Sequence, residues 1–219
     1  MIKYYANVLT NQEVIDYTNA IKQQYQNNLF TKEDFFNSID FSYASEIHKF
    51  ENCIKRIDKI IKTDFGDNYI YSHSFARIYL NGGVLYPHVD RDGLDITLSV
   101  NLYNDTGEDW PMYVSEIQLS PQRLDEINKK VFSRPDQFEI IKAFFNQQIP
   151  FEILYDNASK DEKKTLEIFN SHKIYSLPMN TPVGSGAAFT ASNHLHWRYP
   201  LKCDDKKKYI QVFYHWKKL

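Results

Sequence analysis

Hydrophobic and polar positions change their period twice along this chain. From Thr10 to about Gly66 apolar residues recur every three or four positions, the mark of helices that bury one stripe. Thr10-Asn11-Gln12-Glu13 has capping-box spacing and leads into Val14, Tyr17, Ile21 and Tyr25 at helical intervals. Thr31-Lys32-Glu33-Asp34 has the form of a second cap and predicts a short helix. A longer helix is predicted from near Ser45, with Ile47, Phe50, Ile54, Ile57 and Ile61 along its stripe and Gly66 at its end. His48 and Cys53 fall in this helical region and read as scaffold.

From Asn68 the period drops to two. Tyr71, His73, Phe75, Arg77 and Tyr79 share one strand face, while Ile70, Ser72, Ser74, Ala76 and Ile78 share the other. Gly82-Gly83 breaks the run, and a strand carrying His88 and Asp90 follows. Between Asp95 and Tyr103, Ile96, Leu98, Val100 and Leu102 alternate with Thr97, Ser99, Asn101 and Tyr103; Trp110 to Val114 predicts one more strand. Residues 116 to about 180 then return to helical signals. Ser120-Pro121 suits a helix start, Ser133-Arg134-Pro135-Asp136 opens a stripe of Phe138, Ile141, Phe144 and Phe145, and Ser159 to Asn170 predicts a third helix. Strand periodicity resumes at Val183 to Phe189 and closes with Lys208 to Trp216. The pattern predicts a mainly β fold with flanking helices, α+β in class, built on an antiparallel sandwich or barrel. One domain spans 1–219 in this reading: an N-terminal helical scaffold at 1–67, a β core at 68–115 and 182–219, and a helical insert at 116–181. The insert is tethered to core strands at both ends, and we expect it to lie over the mouth of a cavity as a lid.

Composition narrows the partners. At 219 residues and 42% hydrophobic, the chain buries a core of single-domain size. A formal net charge of −2 gives no electrostatic footprint for DNA or RNA. Cys53 and Cys203 make no disulfide framework, and the first residues lack the apolar core of a signal peptide. No run approaches the roughly 18 apolar residues of a membrane span. The expectation is a soluble, cytoplasmic protein in a reducing compartment, which also keeps iron ferrous.

The chemistry concentrates in Tyr79-Leu80-Asn81-Gly82-Gly83-Val84-Leu85-Tyr86-Pro87-His88-Val89-Asp90. Residues two apart on a strand point the same way, so His88 and Asp90 offer an imidazole nitrogen and a carboxylate oxygen to one metal ion. A histidine from Asn193-His194-Leu195-His196-Trp197-Arg198 would complete a facial triad. Two histidines and a carboxylate leave three cis positions open, which suits non-haem Fe(II) binding a chelating cosubstrate and dioxygen together. His194 and His196 are themselves two apart, so spacing alone does not choose between them.

Arg77-x-Tyr79, two glycines, His88-x-Asp90, a Gly-rich strand ending in Phe189, then His196-Trp197-Arg198 and a basic residue opening a last strand together resemble the 2-oxoglutarate and Fe(II)-dependent oxygenases, most closely the prolyl 4-hydroxylase-like subgroup. The resemblance covers roughly residues 70–115 and 182–216. It implies a double-stranded β-helix, or jelly roll, with metal ligands His88, Asp90 and His196; His194 is then a neighbouring donor or a substrate contact. It places 2-oxoglutarate against Tyr79 and a cation, with Lys208 in the aligned position and Arg198 as the competing anchor. Arg77 and Asn101 stand beside these as substrate-adjacent candidates. The activity implied is hydroxylation of a protein side chain, an amino acid or a small metabolite, with dioxygen as co-reactant and succinate and CO2 released. Two other readings remain at this point: a jelly roll that has lost catalysis and only binds, or a zinc-dependent hydrolytic site, for which no HExxH helix is present.

Overall fold

The computed structural model describes residues 1–32, 42–46, 53–127, 129, 133–147 and 149–219. The chain runs β1 (Ile2–Tyr5), α1 (Asn11–Gln26), β2 (Thr31–Lys32), β3 (Ser42–Glu46), α2 (Ile54–Phe65), β4 (Tyr69–Tyr79), β5 (Leu85–His88), β6 (Ile96–Asn104) and β7 (Met112–Gln118). Four helices follow: α3 (Pro121–Ile127), α4 (Pro135–Phe145), α5 (Phe151–Asn157) and α6 (Lys160–Ile174). The strands β8 (Ser176–Met179), β9 (Gly186–Phe189), β10 (His194–Arg198) and β11 (Tyr209–Lys218) complete it.

Every described strand pair is antiparallel. The strands form a major sheet in the order β1-β9-β6-β11-β4-β3-β2 and a minor sheet in the order β5-β10-β7-β8. Leu85, Met112, Val114 and Met179 of the minor sheet pack with Ala187, Phe189 and Phe213 of the major one, so the two inner faces enclose a common interior. This is the double-stranded β-helix arrangement. The other face of the major sheet, through Ile78, Leu98, Val100, Val212 and Trp216, takes the stripes of α1 and α2. Two tight backbone features hold the interior together. Gly82, at φ +80°, turns the chain between β4 and β5. At Gly186 an added Cβ would stand 2.9 Å from the Ser99 carbonyl oxygen, so only glycine lets β9 approach β6 this closely.

The helices with strong caps form where the sequence predicts them. Thr10 accepts from the Glu13 N–H while Glu13 accepts from the Thr10 N–H, and Ser159 and Glu162 repeat the box at α6. Several elements differ from expectation. Ser42–Glu46 is strand rather than the start of a helix, because the free edge of β4 offers it a ladder from Tyr79 to Phe75; α2 begins only at Ile54. Thr31 and Lys32 pair with β3 instead of capping a helix, and residues 33–41 and 47–52, with His48, lie outside the described residues. The insert is shorter than 116–181: β7 continues to Gln118 and 176–179 form β8. Its position also differs. Phe144, Phe145, Leu166 and Phe169 pack with Tyr86, Leu195 and Trp197 on the outer face of the minor sheet. His196 and Arg198 alternate with Leu195 and Trp197 along β10 and face the interior instead. The minor sheet therefore stands between the insert core and the interior, and the insert is a buttress rather than a lid.

Candidate metal centre

His88 ends β5, an edge strand, where Pro87 removes no needed ladder bond. His196 lies directly across from it in the register, and the two imidazole centroids are 4.2 Å apart. Asp90 follows just beyond the strand, its N–H donating to the Ala191 carbonyl at 2.9 Å. One of its oxygens, Oδ1, is 3.7 Å from His88 Nε2 and 3.6 Å from His196 Nε2. Among the described residues, His88, Asp90 and His196 are the group whose ligand atoms converge in this way, all within 4.8 Å of one another.

Backbone carbonyls set both tautomers. His88 Nδ1–H donates to the Tyr86 carbonyl at 2.8 Å, and His196 Nδ1–H to the His194 carbonyl at 3.1 Å. A carbonyl only accepts, so each ring turns an Nε2 lone pair toward Asp90. Burial, followed by the proximity of His196, pushes His88 down to about 3, which keeps it neutral at physiological pH. Burial alone would raise the Asp90 carboxyl, but His196, His215 and His88 outweigh it and hold the group below the ordinary carboxylate range. Two imidazole nitrogens and one carboxylate are the donor set that a divalent metal with open positions requires. A metal with bonds of about 2.1 Å sets cis ligands about 3 Å apart, so each histidine–carboxylate distance needs to close by less than about 1 Å.

His194 does not join them. Its Nδ1–H donates to the Ser115 carbonyl at 2.7 Å, and its Nε2 lies 3.2 Å from the Met1 amino group. The pairing with β7 slips between His194 and His196, and both ring nitrogens of His194 already have neighbours in Ser115 and Met1.

The cosubstrate candidates also separate. Lys208 stands one residue before the inward-facing Tyr209; its Nζ lies 6.0 Å from the Tyr25 ring of α1, on the helix-covered face. Arg198 is 1% exposed and faces inward. Its guanidinium carbon sits 4.4 Å from the Trp110 ring and 4.9 Å from that of Tyr209, and Nη1 donates to the Trp110 carbonyl. Among the described residues, Nε and Nη2 of this buried cation have no hydrogen-bond partner. Tyr79 belongs to the same cluster, and Arg77 Nη1 donates to its hydroxyl at 3.1 Å. Asn101 is buried on the inner face of β6, with Nδ2 donating to the Thr181 carbonyl at 2.7 Å and Oδ1 unpartnered.

No family model matches this chain, and no curated protein matches it in sequence. Solved structures do. A Pseudomonas putida prolyl-4-hydroxylase aligns with a TM-score of 0.59 at 6% identity, covering 100% of this chain and 92% of that one. The viral collagen prolyl hydroxylase vCPH from Paramecium Bursaria Chlorella virus-1, in its 2OG complex, aligns at 0.54 and 13% identity, covering 100% and 96%. The non-heme alpha ketoglutarate dependent carbocyclase SnoK from nogalamycin biosynthesis aligns at 0.62 and 11% identity, covering 98% and 79%. The fold is that of the 2-oxoglutarate oxygenases. Identities this low carry the architecture and nothing finer, so the roles of individual side chains rest on the geometry above.

Within this oxygenase fold the sequence pattern overlooked two groups behind Asp90. Thr97 Oγ1 donates to Asp90 Oδ2 and lies 2.9 Å from His215 Nδ1. Both are in phase with the inward face, Thr97 four residues before Asn101 and His215 four after Gln211, a signal that counting by twos would have found. Trp110 and Tyr209, the stacking partners of Arg198, were overlooked as well. A separate cavity of about 850 Å³ opens outside the minor sheet among α3, α4 and α6. Its lining charges balance, with Arg123, Arg134 and Lys164 against Glu126, Asp161 and Glu167, and so select no ion.

Proposed function

We propose that this chain is a single-domain, non-haem Fe(II)- and 2-oxoglutarate-dependent dioxygenase that hydroxylates a protein side chain, an amino acid or a small metabolite. The carrying observation is the convergence of His88 Nε2, Asp90 Oδ1 and His196 Nε2 inside this fold, with two nitrogens of a buried guanidinium left without a hydrogen-bond partner among the described residues. In this reading the three side chains hold the iron, and Arg198 takes the far carboxylate of 2-oxoglutarate beside Tyr79. An isolated buried charge is costly, and a carboxylate opposite the fork of a guanidinium offsets that cost with two charge-assisted hydrogen bonds. Lys208 is oriented away from the interior and gives up the anchor role to Arg198. Bound iron supplies the oxidative chemistry, in which dioxygen and 2-oxoglutarate yield succinate, CO2 and a hydroxylated substrate. The chain's own part is positional: carbonyls orient both imidazoles, burial keeps His88 neutral, and the aromatic walls around Arg198 exclude water from the anchor.

The prolyl hydroxylases among the structural neighbours favour a peptidyl or amino-acid substrate over nucleic acid, in line with the net charge of −2. No described helix is long and apolar enough to cross a membrane, and a reducing cytoplasm suits the ferrous iron this reading needs. Anaerobic addition of Fe(II) and 2-oxoglutarate should raise a weak visible charge-transfer band, and succinate should form over a panel of amino acids and peptides. Ala in place of His88, Asp90 or His196 should remove both signals with the circular dichroism unchanged. A silent wild-type protein in both assays would sink the proposal and return the zinc-hydrolytic and binding-module readings.

A further inference from the structure

We infer that Thr97 and His215 form a clamp that confines Asp90 to a single metal-facing oxygen and so keeps open the coordination position that cosubstrate or dioxygen occupies. The inference rests on the metal reading of His88, Asp90 and His196.

The two oxygens of Asp90 have different surroundings. Oδ1 lies toward His88 and His196, whereas Oδ2 accepts the hydroxyl proton of Thr97. An ionised carboxylate has no proton to give, so the hydroxyl hydrogen must point at Oδ2. Thr97 Oγ1 is then an acceptor toward His215, and the 2.9 Å contact requires a proton on His215 Nδ1. The chain His215 Nδ1–H to Thr97 Oγ1–H to Asp90 Oδ2 thus runs in one direction only, fixed at one end by a buried imidazole. His215 is 2% exposed and cannot reorient: its ring stacks on Phe75 at 5.3 Å and packs against His73 at 5.0 Å. The backbone contributes too, because β11 pairs His215 with Thr97 directly across the sheet.

The consequence for a metal is geometric. A carboxylate with both oxygens available can chelate, which would use one of the three positions that two imidazoles and a one-point carboxylate leave vacant. A keto-acid cosubstrate needs two of these positions and dioxygen the third. With Oδ2 engaged by Thr97, chelation would break a charge-assisted hydrogen bond inside a buried network. Thr97 and His215 are therefore positioning residues.

The experiment is an anaerobic titration of Fe(II)-loaded protein with 2-oxoglutarate, read at the charge-transfer band and requiring no turnover. In Thr97→Val the affinity for 2-oxoglutarate should fall at least about tenfold, within the range that lost outer partners of metal ligands typically cause, while Fe(II) affinity changes less. Thr97→Ser keeps the hydroxyl and should restore the wild-type titration, a rescue that a purely steric role for the methyl group would not give. His215→Leu should fall in the same direction, and it decides the matter should Thr97→Val fail to fold. No band in the unmutated protein overturns the oxygenase reading itself. A wild-type band with an unchanged titration in Thr97→Val, or in His215→Leu where that variant decides, overturns the clamp alone.

Discussion

Arg198 and Lys208 show how much depends on the direction of one side chain. Both are basic and ten residues apart, yet Arg198 ends β10 of the minor sheet facing the interior, whereas Lys208 immediately precedes the inward-facing Tyr209 of β11 and lies toward α1. Arg198→Ala should raise the apparent KM for 2-oxoglutarate ten- to a hundredfold, because a charge-assisted contact contributes roughly 1.5–3 kcal/mol, while Lys208→Ala should leave it unchanged. Steady-state succinate formation measures both, and the reverse outcome would return the anchor to Lys208. His172 carries a second residue-scale expectation. Its Nδ1 lies 2.7 Å from Ser115 Oγ, and burial, aided by nearby Arg123 and His194, pushes it down to about 4. The unfolded chain then binds a proton that the folded chain does not as pH drops below the ordinary histidine value of 6.5. Its contribution is complete above about pH 6.5 and is lost as pH falls toward 4. His88 and His215 act in the same sense. In chelator-treated protein the urea midpoint should drop between pH 7 and pH 5, and it should drop less in His172→Gln; equal drops would remove His172 from the account.

At the scale of elements, the strength of the local signal decides what can be read without a structure. α1 and α6 each carry a capping box and a stripe, two agreeing local cues, and both form where expected. β4 and β6 are long enough for a period of two to be unmistakable. The elements that escaped are short strands whose reason for being strands lies elsewhere in the chain. β1 exists because β9 offers it an edge, β3 because β4 does, and β8, which contains Pro178, because β7 does. The site follows the same rule. The His88-x-Asp90 pair is local and was legible; spacing did not choose between His194 and His196, the family resemblance favoured His196, and the β10–β5 register sets His196 directly across from His88. The insert helices were legible as helices and misplaced as a lid, since a stripe shows that a face is covered without showing what covers it. Phe145 makes that cover concrete, with its ring 5.3 Å from Trp197 and 6.1 Å from Phe169. Phe145→Ala should destabilise the fold by about 3–5 kcal/mol, as a large buried aromatic does when the site cannot collapse. Denaturant unfolding measures it, and a loss under 1 kcal/mol would mean the helices merely rest on the sheet.

For the molecule as a whole, the two sheets are stabilised from opposite sides by different helices. α1 and α2 cover the outer face of the major sheet, and α4 and α6 cover that of the minor sheet, so the interior is free to hold polar and charged groups that would weaken an ordinary core. Thr97, Asn101, Arg198, Gln211 and His215 are all buried there. A sandwich with this much polarity between its layers draws its apolar stabilisation mainly from the outer faces. The minor sheet has only four strands, and Leu195, Trp197 and Tyr86 present its outer face to the insert. Replacing the residues between β7 and β8 with a short loop would return that face to water as a contiguous apolar patch, the kind that drives aggregation. The expected outcome is an insoluble or molten chain that binds neither metal nor 2-oxoglutarate. A lid would behave differently, because its removal leaves the barrel intact and the metal bound. Thermal unfolding and Fe(II) titration of the loop-replaced chain separate the two: a cooperative transition with wild-type metal affinity would show that the insert is dispensable to the sheet, and that the outer face is stable without it.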